Sequence, residues 1–213
     1  MNNNLKIGIV GAGIQGISNG LFLQKKGFDV TIFEARQEIG NPVRSPGLIT
    51  SLDSDFIEKT AAKKNNYGWA FRREWFEKLL AKKFVDLGGI IKLKTIGPED
   101  SVNCTGGETK APGWPVPGSQ FKLVLWNGGI VINSDIPTEF ELNKIGNDRF
   151  CFQRGDGLVE CWIRGDLPRP KQGWLEILQG EHPISPLETS ADKAVLEGYE
   201  IAKNIIHSRR EVS

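Results

Sequence analysis

Three glycines with a fixed spacing near the start of the sequence carry the clearest chemical meaning in the chain. They are the first, third and sixth members of the run Gly11, Ala12, Gly13, Ile14, Gln15 and Gly16. In this pattern the first glycine permits a tight turn, the second lets the backbone approach a pyrophosphate, and the third lets a helix pack closely on a strand. The run is therefore predicted to bind the diphosphate of a dinucleotide.

The elements that must position this turn can be read on either side of it. Apolar runs at 5–10 and 30–33 predict buried strands, and helical periodicity over 14–26, ended by Gly27, predicts a helix between them. Glu34 then ends the second strand, where its carboxylate can accept hydrogen bonds from an adenosine ribose. A carboxylate there would repel a 2′-phosphate, so NADP is disfavoured.

The rest of the sequence alternates helical and strand-like segments. Helical periodicity recurs at 72–87 and at 190–207, where Ser190 or Thr189 can cap the helix. A proline-broken stretch at 111–119 marks a boundary. Strand-like segments lie at 90–93, 101–104, 121–126, 129–132, 149–153, 158–163 and 174–178. The pattern predicts an α/β protein, with a Rossmann-like domain built on a parallel sheet and a small antiparallel β segment.

The extended N-terminal pattern resembles the start of FAD-dependent oxidoreductases of the glutathione-reductase-like superfamily. Beyond the glycine run, the residues that carry the resemblance are Gly20, Leu23, Gly27, Val30, Ile32, Glu34, Ala35 and Arg36. The resemblance implies that the dinucleotide is FAD rather than NAD. It also implies an FAD-binding Rossmann-like domain at 1–110 and 174–213, with a reduced substrate segment, a β-meander, at 111–173.

Within that superfamily the chain looks most like the branch of geranylgeranyl reductases and p-hydroxybenzoate-type hydroxylases. The long loop expected at 41–54 resembles the loop that follows the second strand in the reductases, with Arg44 as its arginine and Ser45 where a cysteine often stands. The helix that begins near Arg73 resembles one that opens with an FAD-contacting arginine, for which Arg72 is the alternative. Thr105 and Gly106 resemble a pair near the adenine.

A last resemblance concerns the strand before the closing helix. In the family, a strand ending in Gly-Asp precedes a proline-containing loop and a helix directed at the flavin, and here Glu181 is expected in place of the aspartate. Asp166, which follows Gly165, is the competing position. His182 would then lie near the flavin, where it is a candidate acid or a loop histidine without a catalytic role.

The substrate half is much shorter than in the family's enzymes. We therefore expect a compact FAD-dependent oxidoreductase that uses FAD for hydride transfer or oxygen activation on an unidentified small-molecule or protein substrate. The alternatives are a redox-silent flavin-binding module or assembly subunit, and an NAD-dependent oxidoreductase. A homo-oligomer could complete the site, and Trp114, Trp126, Trp162 and Trp174 could line a ligand or subunit surface or fill a small core.

Composition narrows the remaining classes of function. The formal net charge of +1 gives no reason to expect nucleic acid as a partner, and the lysine pairs at 63–64 and 82–83 are interpreted as solvated helix faces. No secretory signal or membrane span is recognised in the 213 residues, so a cytoplasmic protein is expected. Three cysteines without CxxC spacing argue against a disulfide framework and a zinc site, and no metal is expected.

Overall fold

The computed structural model describes residues 5–51, 62–106, 110, 123–185, 188 and 190–210. The chain divides into two compact units. Unit 1 is drawn from Met1–Asn41, Glu77–Gln120 and Ala194–Ser213, and unit 2 from Pro42–Phe76 and Phe121–Lys193. The elements in chain order are β1 Lys6–Val10, α1 Ile14–Gln24, β2 Asp29–Glu34, β3 Leu48–Ile49, β4 Lys63–Asn65, β5 Gly68–Ala70, α2 Arg73–Asp86, β6 Ile90–Leu93, β7 Val102–Asn103, β8 Val124–Val131, a 3-10 turn at Asn133–Asp135, β9 Lys144–Ile145, β10 Arg149–Gln153, β11 Val159–Ile163, β12 Glu176–His182 and α3 Ala191–Arg210.

Unit 1 is built on a four-stranded parallel sheet in the order β6-β2-β1-β7. Two parallel strands need a crossover between them, and α1 provides it from β1 to β2. The side chains of Ile9, Ile17 and Ile32 are fully buried in this sheet-and-helix core. A Cβ at Gly20 would lie 2.8 Å from the Phe84 ring, so the glycine leaves room for this ring beside α1. The predicted βαβ unit and the Rossmann-like fold are confirmed.

Unit 2 contains a five-stranded antiparallel sheet in the order β12-β8-β11-β10-β9 and a small sheet in the order β3-β5-β4. One apolar cluster includes the fully buried rings of Trp126 and Trp162, which confirms the core interpretation for these two tryptophans. Trp174 is half-buried and packs against a second cluster around Val131 and Cys161. Trp114 lies outside the described residues.

The glycine pair in β8 corrects one prediction. The segments 121–126 and 129–132 were expected to be separate strands, but β8 runs without a break from Val124 to Val131. A Cβ at Gly128 would lie 2.8 Å from the Trp162 ring, and one at Gly129 would lie 2.3 Å from the Trp174 ring. These glycines therefore make room for indole rings over the strand rather than forming a turn. Residues 121 and 122 lie outside the described part.

The lysine pair at 63–64 corrects another prediction, because it lies on strand β4 and not on a helix. The hairpin to β5 is closed by Asn65, whose Oδ1 accepts the backbone N–H groups of Tyr67 and Gly68 at 2.8 and 3.1 Å. The pair at 82–83 lies on the exposed face of α2 as predicted. The loop expected at 41–54 contains the short strand β3, and its residues 52–54 fall outside the described part.

The strand predicted at 174–178 is β12, which pairs with β8 in the antiparallel sheet. It is an edge strand that begins at Glu176, and its Ile177 and the preceding Leu175 are 73% and 62% exposed, so this strand is not buried on both faces. The closing helix is present as α3, preceded by Ser190; Thr189 lies outside the described residues. The predicted boundaries at 110 and 174 stay a prediction.

The three cysteines are free and buried, as predicted. Burial raises the pKa of Cys104 to about 11, so this thiol is not a nucleophile near neutral pH. The Sγ atoms of Cys151 and Cys161 lie 3.2 Å apart between paired strands β10 and β11. Among the described residues, no helix has the length and hydropathy required to cross a membrane.

Candidate functional site

The glycine turn joins β1 to α1, and its three glycines differ in their surroundings. Gly11 has a φ of +103°, which favours glycine, and a Cβ there would lie 2.6 Å from the carbonyl oxygen of Cys104. A Cβ at Gly16 would lie only 1.9 Å from the carbonyl oxygen of Gly11. At Gly13, by contrast, no atom lies within 4 Å of the Cβ position. The outer glycines are needed for packing, and the middle one borders open space.

Helix α1 directs its N-terminus at this open space. Gly13 is its N-cap, in an extended conformation and without a side-chain cap. The first turn contains no acidic residue, so the positive end of the helix dipole is not neutralised from within the helix. The side chain of Gln15 donates to Glu197 Oε2 at 3.3 Å. The backbone N–H groups that lack a partner within the helix are those of its first turn: Ile14, Gln15 and Gly16.

Glu34 lies at the end of β2, beside the turn. Its Oε2 accepts the backbone N–H of Ala12 at 2.8 Å, and its Oε1 accepts the backbone N–H of Arg36 at 2.9 Å. Although burial works to raise the pKa of Glu34, the hydrogen bonds and charge of Arg36 and the Ala12 N–H together lower it. Glu34 is therefore a buried, ionised carboxylate near neutral pH.

Arg36 supplies the counter-charge to this carboxylate. Its Nη2 donates to Glu34 Oε2 at 3.0 Å. Burial opposes the charge of Arg36, but Glu34 and the nearby Glu77 raise the pKa of the guanidinium. Ala35 between them is exposed. Glu34 and Arg36 therefore form an ion pair at the end of β2.

Thr105 and Gly106 follow β7, which pairs with β1 on the side away from β2. The N–H and Oγ1 of Thr105 both donate to Asn103 Oδ1, at 3.1 and 2.8 Å. Gly106 has a φ of +87° and no atom within 4 Å of its Cβ position. The candidate residues of unit 1 thus gather at the carboxyl ends of three neighbouring parallel strands, where open α/β sheets bind ligands.

Arg44 and Arg73, the arginines predicted to contact the cofactor, belong to unit 2. Arg73 opens α2, and its Nη1 donates to the carbonyl oxygen of Pro46 at 3.1 Å. The alternative, Arg72, is paired with Glu74. Arg44 offers its carbonyl oxygen to His182 Nε2 at 2.6 Å. The predicted contacts of both arginines with a cofactor stay predictions.

Glu181 and His182 lie at the end of β12, so the predicted order of strand, proline-containing loop and helix is present. Neighbouring residues of a strand face opposite sides, and here His182 is buried whereas Glu181 is half-exposed. Asp166, the competing position, is exposed after Gly165. The choice between Glu181 and Asp166 as the aspartate equivalent stays a prediction.

Glu160 and Asp192 are buried carboxylates of unit 2 that the sequence patterns did not single out. Glu160 on β11 is 1% exposed and accepts hydrogen bonds from Trp162 Nε1 at 2.7 Å and from Arg154 Nη1 at 3.4 Å. Burial raises the pKa of Glu160, an effect that Arg154 opposes. In the sequence, Glu160 could have been recognised as the single charged residue of an otherwise apolar strand.

The second, Asp192, lies in the first turn of α3. It accepts the N–H groups of Thr50 and Ser51 at 2.6 and 2.8 Å, as well as both hydroxyl groups. Burial acts to raise the pKa of Asp192, but these hydrogen bonds lower it. Among the described residues, no three or more His, Cys, Asp and Glu side chains are grouped as a metal site.

A comparison with protein families matches residues 6–100 to the family described as FAD dependent oxidoreductase. Of the parallel sheet, the match covers β1, β2 and β6 together with the glycine turn and α1, whereas β7 lies beyond it. FAD is the cofactor of this family, which agrees with the prediction of FAD. No curated protein matches the chain.

Solved structures share the fold at low sequence identity. A geranylgeranyl bacteriochlorophyll reductase-like protein from Thermoplasma acidophilum has a TM-score of 0.64 and 15% identity, over 97% of this chain and 80% of its own. Aklavinone-11 hydroxylase, solved with FAD and aklavinone, has a TM-score of 0.57 and 12% identity, over 96% of this chain and 63% of its own. This chain therefore spans less than two thirds of the hydroxylase, although almost all of it is matched.

Proposed function

We propose that the chain is an FAD-dependent oxidoreductase, a proposal supported by the family match over residues 6–100, and that it holds the adenosine diphosphate part of FAD at the carboxyl edge of the parallel sheet in unit 1. The observation that carries this proposal is the open space at Gly13, between two glycines that have no such space. A diphosphate can approach the backbone there and meet the N-terminus of α1.

The ribose of the adenosine is assigned to Glu34. Its Oε2 already accepts two hydrogen bonds and its Oε1 accepts one, so Oε1 keeps acceptor capacity for a ribose hydroxyl. Arg36 fixes the carboxylate and keeps it ionised, and an ionised carboxylate disfavours a 2′-phosphate. Ala35, Arg36, Thr105 and Gly106 are assigned to the adenine and ribose side of the same edge.

FAD, when bound, supplies hydride transfer or oxygen activation through its flavin ring. Arg44 and Arg73 are proposed to bind phosphate or ribityl oxygens of FAD, because guanidinium groups bind such oxygens well. Glu181 is proposed to hold the ribityl chain, in the place of the aspartate that the resemblance implies. No side chain is assigned to a proton transfer. The substrate is a small molecule or a partner protein, and both a cytoplasmic location and a homo-oligomer stay predictions.

A redox-silent flavin-binding module is the second candidate. It is favoured by the short internal segment predicted for the substrate, 111–173, which supplies few residues with which to enclose one. Both candidate functions include FAD binding, but only the oxidoreductase reduces or oxidises a substrate with it. Reduction of the bound flavin by NADH, NADPH or dithionite, followed by reoxidation by an acceptor, supports the oxidoreductase.

The first experiment is an absorbance spectrum of the purified protein, with mass analysis of the compound released by heating. A flavin spectrum and the mass of FAD support the proposal. A protein that is colourless, and that does not take up added FAD while binding NAD, contradicts it. Glu34→Gln protein, prepared in parallel, should retain less FAD than Glu38→Gln protein, whose substituted residue is on the surface.

A further inference from the structure

The backbone of residues 44–47, here called the anchored loop, is held at several points by other parts of unit 2. The carbonyl oxygen of Pro46 accepts a hydrogen bond from Arg73 Nη1, and the N–H of Gly47 donates to Glu160 Oε1 at 3.1 Å. The carbonyl oxygen of Gly47 accepts the N–H of Phe71 at 2.8 Å. A loop whose polar backbone atoms are paired in this way has one preferred conformation.

A further contact is made at the start of the anchored loop, where His182 Nε2 lies 2.6 Å from the carbonyl oxygen of Arg44. Gly180 on the same strand makes this contact possible, because a Cβ there would lie 2.0 Å from that oxygen and 2.6 Å from His182 Nε2. His182 is 9% exposed, and its ring packs edge-on against Trp162 with the ring centroids 5.9 Å apart. The absence of a side chain at Gly180 thus leaves a space on β12, here called the slot, that is occupied by the Arg44 carbonyl group and the His182 imidazole.

The chemistry of this contact fixes the state of the imidazole. Burial lowers the pKa of His182 to about 4, and the positive charge of Arg73 acts in the same direction. The ring is therefore neutral near pH 7 and carries a single N–H. A carbonyl oxygen only accepts hydrogen bonds, so this proton is on Nε2.

We propose that His182 is a positioning residue for cofactor binding, whose Nε2–H holds the Arg44 carbonyl and thereby fixes the direction in which the Arg44 side chain leaves the anchored loop. This inference rests on the proposed function, which assigns Arg44 to FAD. It differs from a role as an acid, because the only proton of the neutral ring is already donated to the backbone.

His182→Phe keeps an aromatic ring in the slot but leaves the Arg44 carbonyl without its N–H partner. An unpaired carbonyl at a partly buried position is unfavourable, so the start of the anchored loop should shift towards water. Arg44 then samples several directions, and part of its contribution to FAD affinity is lost.

The test is a set of FAD dissociation constants measured by flavin fluorescence. His182→Phe should raise the Kd by about 5- to 10-fold, the equivalent of one hydrogen bond. His182→Gln, whose Nε2 can donate to the same carbonyl, should restore most of the affinity. His207→Gln on the exposed end of α3 is the matched histidine control and should leave the Kd unchanged.

A double-mutant cycle with Arg44→Met separates positioning from a general loss of stability. If His182 acts through Arg44, His182→Phe has little further effect once Arg44 is replaced, and the double variant binds FAD about as weakly as Arg44→Met alone. Multiplicative effects of the two substitutions would overturn the inference, as would an unchanged Kd for His182→Phe.

Hydrogen exchange of the anchored loop distinguishes failure of this inference from failure of the proposed function. Without FAD, His182→Phe should speed the exchange of the backbone amides in residues 44–47, whereas His182→Gln and His207→Gln should not. If the exchange of these amides is unchanged in His182→Phe, His182 does not hold the anchored loop in place. Faster exchange in a protein whose wild type binds no FAD confirms the anchor but overturns both the proposed function and the cofactor role inferred from it.

Discussion

The backbone N–H of Ala12 donates to the Oε2 of Glu34 at 2.8 Å and so ties the glycine turn to the end of the neighbouring strand. The same carboxylate is held by Arg36, so its position and charge are fixed before any ligand arrives. Preorganisation of this kind lowers the entropy lost on binding. The proposed diphosphate and ribose positions of unit 1 are therefore already aligned with each other.

Substitution at Gly13 should abolish cofactor binding without unfolding the protein. Aspartate and asparagine are preferred N-cap residues, and no atom obstructs a side chain there, so Gly13→Asp and Gly13→Asn should be as stable as the wild type to within about 1 kcal/mol. Both side chains enter the proposed diphosphate space, and Asp also repels the phosphates. FAD titration with thermal unfolding of the apoprotein checks both points, and normal FAD binding by Gly13→Asp would remove the glycine turn from the site.

Gly16 should respond in the opposite way. A Cβ at Gly16 would lie 1.9 Å from the carbonyl oxygen of Gly11, so Gly16→Ala forces the turn and α1 apart. We expect a loss of about 1–3 kcal/mol in the free energy of unfolding, measured by urea denaturation. Gly13→Ala, which meets no atom, is the control and should lose less. Equal stabilities of the two alanine variants would contradict the close packing at Gly16.

Glu34→Gln should weaken FAD binding by about 10- to 100-fold, because a hydrogen bond to a charged acceptor is replaced by a weaker neutral one and Arg36 loses its counter-charge. The same change should relax discrimination against a ribose 2′-phosphate. Calorimetric titrations with FAD, ADP-ribose and its 2′-phosphorylated form measure both effects, with Glu38→Gln as the surface control. An unchanged FAD affinity would place the ribose elsewhere.

Much of unit 1 could be predicted from the sequence because its signals are local. Gly11, Gly16 and Glu34 all belong to one βαβ unit. Each residue type follows from its local position, which is a turn, a close packing contact or the end of a strand. The parallel order of the strands then follows from the crossover helix. The cofactor class came from the longer N-terminal pattern, and the family match agrees with it.

The parts of unit 2 that were mispredicted depend on contacts between distant residues. Gly128 and Gly129 look like a turn until the rings of Trp162 and Trp174 are placed over them. Glu160 has a partner in Gly47, which is far from it in sequence, and no local pattern announces this pair. The same holds for the contact between His182 and Arg44, so the sequence indicated that His182 was of interest without indicating what it holds.

The buried imidazole also makes a prediction about pH. The pKa of His182 is about 4 in the folded protein, against 6.5 for an unperturbed histidine, so the unfolded chain binds more protons between these values. The stabilising effect of a neutral His182 is fully present above about pH 6.5 and is lost as the pH falls towards 4, at a total cost of about 3 kcal/mol or less. Urea denaturation of wild type and His182→Gln across this range isolates the effect, because the acidic groups titrate in both proteins. The wild type should lose stability more steeply than His182→Gln; parallel curves for the two proteins would mean that the imidazole is accessible to protons in the native state.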